Sequence, residues 1–472
     1  MANVGAQFHG MGYLPHVVPS PAGPADQPAA VFRASLRCDA GSHRHALIVN
    51  SEPSGALPGW TELLSGRGLD LLRVAEADLE AGVDSAAVGA SLRRDGVTAD
   101  EVAAILTQAD LRRRAVTKFG PLAGRLLFTP AGLEQATRAA VARLHAARFA
   151  AAGCRTVADL GCGIGAESLA LVAAGIHPVD VEIDPFTAAI ARHNLTAVGA
   201  PPEVIVGDVE RLSLPADVDG VFLDPARRTA GHRDTRRIAS PDDYSPSLTT
   251  AFQYGDHLPT GVKLGPGLDR DLIPPTNPVR RVEAQWISVN GQVVELGIWF
   301  GAVARPGVGR SALVLRGPVD GDGDPAAHEL TAPEDATDAA ARSLGEFLYE
   351  PDGAVIRARL IGVLAGEIGA GMLDSRIAYL TADRYTLTPF GSAFRVLEEL
   401  PVKEKALRRA LADRGIGRLE IKKRGVAVDP AALRQRLRLR GPEEATLILT
   451  RFGDRHRALL AERCGQSPTA PG

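Results

Sequence analysis

The sequence predicts an α/β protein built on a parallel sheet wound with helices and finished by an antiparallel hairpin. Three observations predict it. From Thr156 onward, short apolar runs alternate with helical patterns: Thr156 to Leu160, Val179 to Ile183, Glu203 to Val206, Gly220 to Leu223 and Gly261 to Leu264. A glycine-rich turn, Gly161-Cys162-Gly163-Ile164-Gly165, joins the first run to a helical pattern. Asn290-Gly291 then separates two further strand-like runs, Trp286 to Val289 and Val293 to Phe300, which is a hairpin signal.

The elements on either side follow in order. Residues 1–57 are rich in Pro, Gly and Ala without a sustained period, and are expected to be disordered. Residues 58–152 read as a helical domain. Thr98 and Glu101 form a capping box, and Val102, Ile105, Leu106 and Ala109 follow at helical spacing. Thr129-Pro130 opens a second helix, with Leu133, Ala136, Ala140, Val141 and Leu144 along one face. Arg112, Arg113, Arg114, Lys118, Arg125, Arg138, Arg143 and Arg148 make this region basic. Residues 153–315 carry the alternating pattern. Residues 316–338, rich in Gly, Asp, Pro and Ala, read as a linker. A small α+β module is expected over 339–465, ending in a helix at 402–414, a strand near 418–424, a helix at 430–439 and a strand at 445–452.

Composition narrows the class. The net charge of −3 hides an asymmetry: residues 401–460 hold 16 Lys or Arg against 7 Asp or Glu, a net of +9, leaving −12 elsewhere. Such an excess is a candidate anion-binding face, though a basic run is more often only solvated. The four cysteines show no C-x-x-C spacing and no accompanying His cluster, so neither a zinc site nor a disulfide framework is expected. No apolar run is long enough to span a membrane, and the N-terminus lacks a secretory pattern. The expectation is a cytoplasmic protein without a metal; oligomeric state is not readable.

The chemistry is carried by Val157 to Gly165. A strand ends near Asp159, glycines let the backbone turn tightly and meet a ligand, and a helix starts near Glu167. Glu182 lies 19 residues after Gly163, where an acid accepts both ribose hydroxyls of an adenosine. A nicotinamide dinucleotide is the rival ligand. Against it, the glycines run G-x-G-x-G, and the Asp159 carboxylate would repel a pyrophosphate. A donor bearing an ammonium and a sulfonium would be attracted instead. Cys162 within the turn reads as a small packing residue rather than a nucleophile.

Thr156 to Phe300 resembles the class I methyltransferases, whose Rossmann-like sheet ends in such a hairpin. Asp159, Gly161, Gly163 and Gly165 match the first motif. Glu182 matches the ribose-binding acid, with Asp184-Pro185 opening the next helix. Gly207-Asp208 matches the third motif, where the acid accepts from the adenine amino group. Asp224-Pro225 matches the fourth, beside the methyl donor. The resemblance implies S-adenosylmethionine as cofactor, held by Asp159, Gly161, Cys162, Gly163, Gly165, Glu182, Asp184 and Asp208. It implies catalysis at Asp224, Pro225 and Arg227. The run Asp224-Pro225-Ala226-Arg227-Arg228 lacks the aromatic used to stack an exocyclic-amine substrate. Arg227, Arg228, Arg233, Arg236 and Arg237 suit a phosphate-bearing acceptor, or else pair with Asp234, Asp242 and Asp243. Lys263 either faces the pocket or caps a strand end, and the second fits slightly better.

Residues from Leu419 to Phe452 resemble the THUMP-like domain found behind some bacterial methyltransferases. That resemblance implies contact with RNA through Lys422, Lys423 and Arg424. Phe128 to Thr137 faintly resembles the segment preceding the catalytic domain of RNA cap guanine methyltransferases. Three readings follow: a methyltransferase for tRNA or rRNA, one for a small molecule or protein, and an RNA-binding factor with an inactive methyltransferase fold.

Overall fold

The computed structural model describes residues 59–227, 244–318 and 325–465. The segment 1–57, read as disordered, lies outside them, as does the whole arginine-rich stretch 228–243.

Six helices come first: α1 (Trp60–Leu63), α2 (Gly66–Glu80), α3 (Ser85–Arg94), α4 (Ala99–Phe119), α5 (Pro130–Gln135) and α6 (Ala139–Ala151). The capping box that starts α4 forms as read, with Glu101 N donating to Thr98 and Thr98 N donating to Glu101. The helix expected to run on from Pro130 instead breaks after Gln135. Lys118 Nζ reaches the carbonyls of Leu133, Glu134 and Ala136 at 2.6–2.9 Å, taking acceptors that a continuing helix would need. The region's core runs from Trp60 through Phe128 to Ile164, Leu169, Phe186 and Ile190, so the helices are seated on the domain that follows.

That domain winds β1 (Thr156–Leu160), α7 (Ala166–Ala173), β2 (His177–Glu182), α8 (Pro185–Ala197), β3 (Val204–Val206), β4 (Gly220–Leu223), β5 (Ala226–Arg227), β6 (Tyr244–Ser245), α9 (Leu248–Gln253), β7 (Thr260–Leu264), β8 (Val282–Val289) and β9 (Gln292–Phe300). Strands β3, β2, β1, β4 and β7 are parallel neighbours in that order, and β9 and β8 follow antiparallel. Asn290 and Gly291 turn the hairpin with φ of 50° and 87°, the pair of positive angles that a tight twisted turn requires.

The sheet does not stop at the hairpin. β10 (Arg310–Arg316) pairs parallel to β8, and β11 (Ala326–Ala332) pairs antiparallel to β10. The stretch read as a linker therefore holds the edge strand of a nine-stranded sheet. Its Gly- and Asp-rich surroundings mask a short strand whose one deeply buried side chain is Leu330.

A seven-stranded sheet follows, with order β13 (Gly371–Asp374), β14 (Ile377–Ala382), β12 (Phe347–Pro351), β15 (Gly391–Leu400), β18 (Arg455–Arg463), β17 (Glu443–Phe452) and β16 (Ile416–Lys423). Helices α10 (Gly353–Arg357) and α11 (Ile361–Ile368) pack one of its faces onto the nine-stranded sheet. Ala354, Val355, Leu364, Tyr349 and Leu380 share a core with Trp286, Leu296 and Val314. Helices α12 (Glu404–Ala412) and α13 (Pro430–Leu437) cover β16 to β18 through Leu407, Leu411, Leu433 and Leu437. Strand β18 was not anticipated, although Gly453-Asp454, both at positive φ, turns a hairpin into it. No helix among the described residues is long and apolar enough to cross a membrane.

Helix α6 is tied to α7 and the sheet by a buried ion cluster. His145 Nδ1 lies 3.2 Å from Glu167, and its Nε2 lies 2.7 Å from Glu295 on β9. The ring packs between Phe222 and Trp299. Burial works against the imidazolium, but the two carboxylates outweigh it and raise the pKa to about 10. A folded pKa above the unfolded value means this stabilisation is complete below pH ~6.5 and is lost as pH rises towards about 10. In urea denaturation, the advantage of wild type over His145→Gln should shrink across that window. A difference that stays flat would remove the imidazolium from the fold's energetics.

Candidate active site

The strand order reverses direction at β1, which has β2 on one side and β4 on the other. At such a point the connections leave the sheet to opposite faces and open a crevice beyond the carboxyl ends of the strands. The glycine turn crosses this crevice. Gly161, Gly163 and Gly165 have φ of 84°, 56° and 83°, angles that a side chain would strain. Gly161 N and Cys162 N both donate to Val181 O, which sews the turn to β2. A Cβ at Gly161 or Gly163 would meet nothing within 4 Å, so the backbone borders open space there. Cys162 is buried against Ala188, Ala191 and Leu195, as a packing residue should be.

Glu182 ends β2. Its carboxylate accepts from Gly163 N at 3.0 Å and from Asp184 N at 2.9 Å, so it braces both the glycine turn and the next loop. Burial raises its pKa, and those backbone donors pull the other way. Each oxygen keeps lone-pair capacity for a further donor. Asp208 lies past β3 on a half-exposed turn, accepting from Glu210 N. Ile183 and Val206, at the ends of β2 and β3, are 64% and 44% exposed and offer apolar surface beside the crevice. No motif singled them out; the available signal was an apolar residue closing each strand-like run.

Two motif residues are used differently from the expectation. Asp184 is the N-cap of α8, and its Oδ2 accepts from the backbone and hydroxyl of Thr187. Asp159 points inward. It is 1% exposed, stands in register with Asp180, and both carboxyls meet Ser168 Oγ, at 2.7 and 2.9 Å. Burial first, and repulsion from Asp180 second, push the Asp159 carboxyl well above its ordinary range. One hydroxyl proton cannot serve two carboxylates, so the pair retains a proton more readily than either acid alone. The long-range attraction of an Asp159 charge for a cationic donor, expected from the sequence, is thereby blunted.

Asp224 follows β4 and is half-buried. Its Oδ2 lies 2.5 Å from Lys263 Nζ of β7. Lys263 thus faces the pocket rather than capping a strand end, and its ammonium also stands 3.4 Å from Gln135 O at the end of α5. Burial disfavours that charge, but Asp224, Glu295 and Glu167 overcome it and hold Lys263 protonated. Burial also raises Asp224, with Lys263 opposing. Asp224, Lys263, Glu167, Glu295 and His145 therefore form a five-membered charge network, of which the motifs pointed only to Asp224. Pro225 is buried next to it, and Arg227 enters the short pair β5–β6 opposite Tyr244.

The helical region braces this site. Asn194 of α8 accepts from Leu127 N at 2.7 Å and donates to Leu127 O and Ile164 O at 3.0 and 2.8 Å. Several of the region's cations are internal rather than a face for an anion. Arg112 is buried against Glu76 and Leu126 O, Arg148 holds the buried Glu283, and Lys118 is spent on carbonyls.

In the C-terminal module, Lys422 and Arg424 turn to Glu350 at 3.1 and 3.9 Å, and Arg424 lies over Tyr379. Lys423 projects from the other face of β16 and is exposed. The structure thus does not bring the three residues read as one RNA-binding cluster onto one face.

Comparison with known proteins agrees with this geometry. Residues 158–226 match the family described as Methyltransferase domain, residues 391–463 match THUMP domain-like, and residues 56–115 match a domain of unknown function. Sequences from two Mycobacterium tuberculosis strains, each named an uncharacterized S-adenosylmethionine-dependent methyltransferase, are 38% identical over 350 residues. That match covers 73% of this chain and 91% of each relative. A crystal structure described as a methyltransferase from Porphyromonas gingivalis W83 shares the fold, with a TM-score of 0.63 at 22% identity, over 84% of this chain and 97% of that one. A glycine turn bordering open space, an acid bracing it and a relative matched over nearly its full length lead to one conclusion: the chain belongs to the S-adenosylmethionine-dependent methyltransferases.

Proposed function

We propose that the protein methylates a nucleotide of tRNA or rRNA. The observation that carries this reading is the THUMP domain-like match at residues 391–463, which contains the 401–460 stretch of net charge +9. A phosphate backbone is the partner that such a positive excess favours. Under this reading Glu182 takes the ribose hydroxyls of the donor with its remaining lone pairs. Ile183 and Val206 flank the adenine, and Asp208 accepts from its amino group. Gly161, Cys162, Gly163 and Gly165 let the backbone approach the methionine end, while Asp159 and Asp184 act through the frame. Bound S-adenosylmethionine supplies an electrophilic methyl on a sulfonium.

On the acceptor side, Lys263 holds Asp224 by one carboxylate oxygen and leaves the other to receive a hydrogen bond from the acceptor's N–H or O–H. That bond aims the acceptor's lone pair along the line of transfer, and positioning of this kind supplies several kcal/mol of the barrier. Asp224 is also the group that takes the proton released on transfer. Pro225 stiffens the chain after it.

Nucleoside mass spectrometry of total RNA from cells with and without the protein tests the substrate class. One modified nucleoside should disappear; an unchanged set would sink the RNA reading. Glu182→Ala should weaken S-adenosylmethionine binding by about 1.5–3 kcal/mol in calorimetry, the range for hydrogen bonds to a charged group. Full affinity would place Glu182 outside the donor site. Asp224→Ala should keep donor affinity and lose transfer. Lys263→Met should move the acid limb of kcat/KM to higher pH by about 1–3 units, because Asp224 loses the cation that favours its ionised form. An unmoved limb would separate Lys263 from Asp224 function.

A further inference from the structure

The two faces of the C-terminal sheet differ in how their charges are used. On β16, Leu419 and Ile421 turn to α12 and α13, so Glu420 and Lys422 turn to the opposite face. On that opposite face the cations of β16 and the neighbouring Arg463 are occupied, whereas Arg455, at the start of β18, has no ion-pair partner among the described residues. Lys422 and Arg424 meet Glu350, Arg463 meets Glu420, and Arg418 meets Glu444. Each is answered by an acid of the same module, which leaves little charge for a partner.

The helix-covered face is different. Leu407 and Leu411 point α12 inward, so Lys405 and Arg408 stand on its outer surface. Arg438 and Arg440 lie on the turn leaving α13, and Lys423 shares this face with Leu419 and Ile421. All five are exposed. Lys405, Arg408, Arg438 and Arg440 have no ion-pair partner among the described residues, and Lys423 faces only the Asp429 cap. Of the other acids on this side, Glu404 pairs with Arg436 and Asp413 with Arg409, which leaves the exposed Glu443 at the start of β17 without an ion pair among the described residues.

This face also has a direction. Tyr349 and Ala393 are register partners, and both belong to the core shared with the nine-stranded sheet. Their sequence neighbours Leu348 and Phe394 pack on the reverse side with Leu459 and Ala461. Alternation along β18 then places Ala458 and Leu460, beneath α12 and α13, on the same side as Tyr349 and Ala393. The unpaired cations therefore lie on the side of the module that turns towards the methyltransferase sheet.

We infer that the α12–α13 layer is the surface that grips the RNA phosphate backbone, through Lys405, Arg408, Lys423, Arg438 and Arg440, while the opposite, ion-paired face does not. The inference rests on the RNA reading proposed above. Unpaired cations release counterions when they meet phosphates, whereas paired ones must first break an internal ion pair.

The test uses the full chain and a fluorescent, unmodified tRNA transcript, titrated over a range of salt. Replacing Lys405, Arg408, Lys423 and Arg440 by Gln should weaken binding roughly tenfold or more and lower the salt slope by about three units, at ~0.7–0.9 per contact. Arg418→Gln with Lys422→Gln, on the opposite face, should leave affinity and slope near wild type. S-adenosylmethionine affinity should be unchanged in both, which shows that each variant is folded. Lys405→Gln with Arg408→Gln alone, confined to the outer surface of α12, should give a smaller loss of the same kind. Wild-type binding with an unaffected four-residue variant would overturn the inference and leave the RNA reading standing. Failure of the wild-type chain to bind the transcript would overturn both.

Discussion

The donor crevice depends on one constraint: the chain must turn between β1 and α7 through three residues at positive φ. Only glycine adopts such angles cheaply, and the three glycines themselves bring no side chain to hold the turn in place. Its rigidity is borrowed. Val181 O takes two of its amides, Glu182 takes a third, and Ile164 is pressed against α5 and held through Asn194. The helical region is thus part of the frame of the site. Gly132 shows how close this seating is, since a Cβ there would lie 2.5 Å from Ile164 Cγ2.

Around Asp224 the frame is electrostatic. A buried charge is costly alone, and each charge here is matched by another from a different element: His145 of α6, Glu167 of α7, Lys263 of β7 and Glu295 of β9. Counting Asp224, two cations meet three carboxylates, so the cluster keeps an excess negative charge at the carboxyl ends of β4 and β7. The same elements that close the sheet therefore set the charge around Asp224. Asp159 and Asp180 follow the other route open to buried acids and retain a proton.

The nine-stranded and seven-stranded sheets are joined by more than a connecting segment. β11 extends the first sheet, and α10 and α11 fill a core that both sheets share. An apolar interface of this kind holds the C-terminal module against the methyltransferase sheet, whereas a flexible tether would let it reorient. A partner bound by the module is accordingly presented to the donor domain at a fixed orientation.

By itself the sequence determined the features that are local in the chain. The capping box at Thr98, the Asn290-Gly291 turn, the glycine run and the strand–helix alternation each depend on residues a few positions apart, and backbone sterics translate them directly into shape. Glu182 was legible for the same reason, because the length of one strand–helix–strand unit fixes its distance from the turn. Tertiary structure decided everything that depends on which side chains meet across the fold. Lys263 could not be assigned to Asp224, nor His145 to Glu167 and Glu295, because 39, 22 and 150 residues separate those partners in the chain. The same holds for Asp159, whose motif position suggested an open charge until the register of β1 with β2 set Asp180 beside it. Lys422, Lys423 and Arg424 are adjacent in sequence, yet strand geometry sends alternate side chains to opposite faces, and only the packed sheet shows which face already holds its acids.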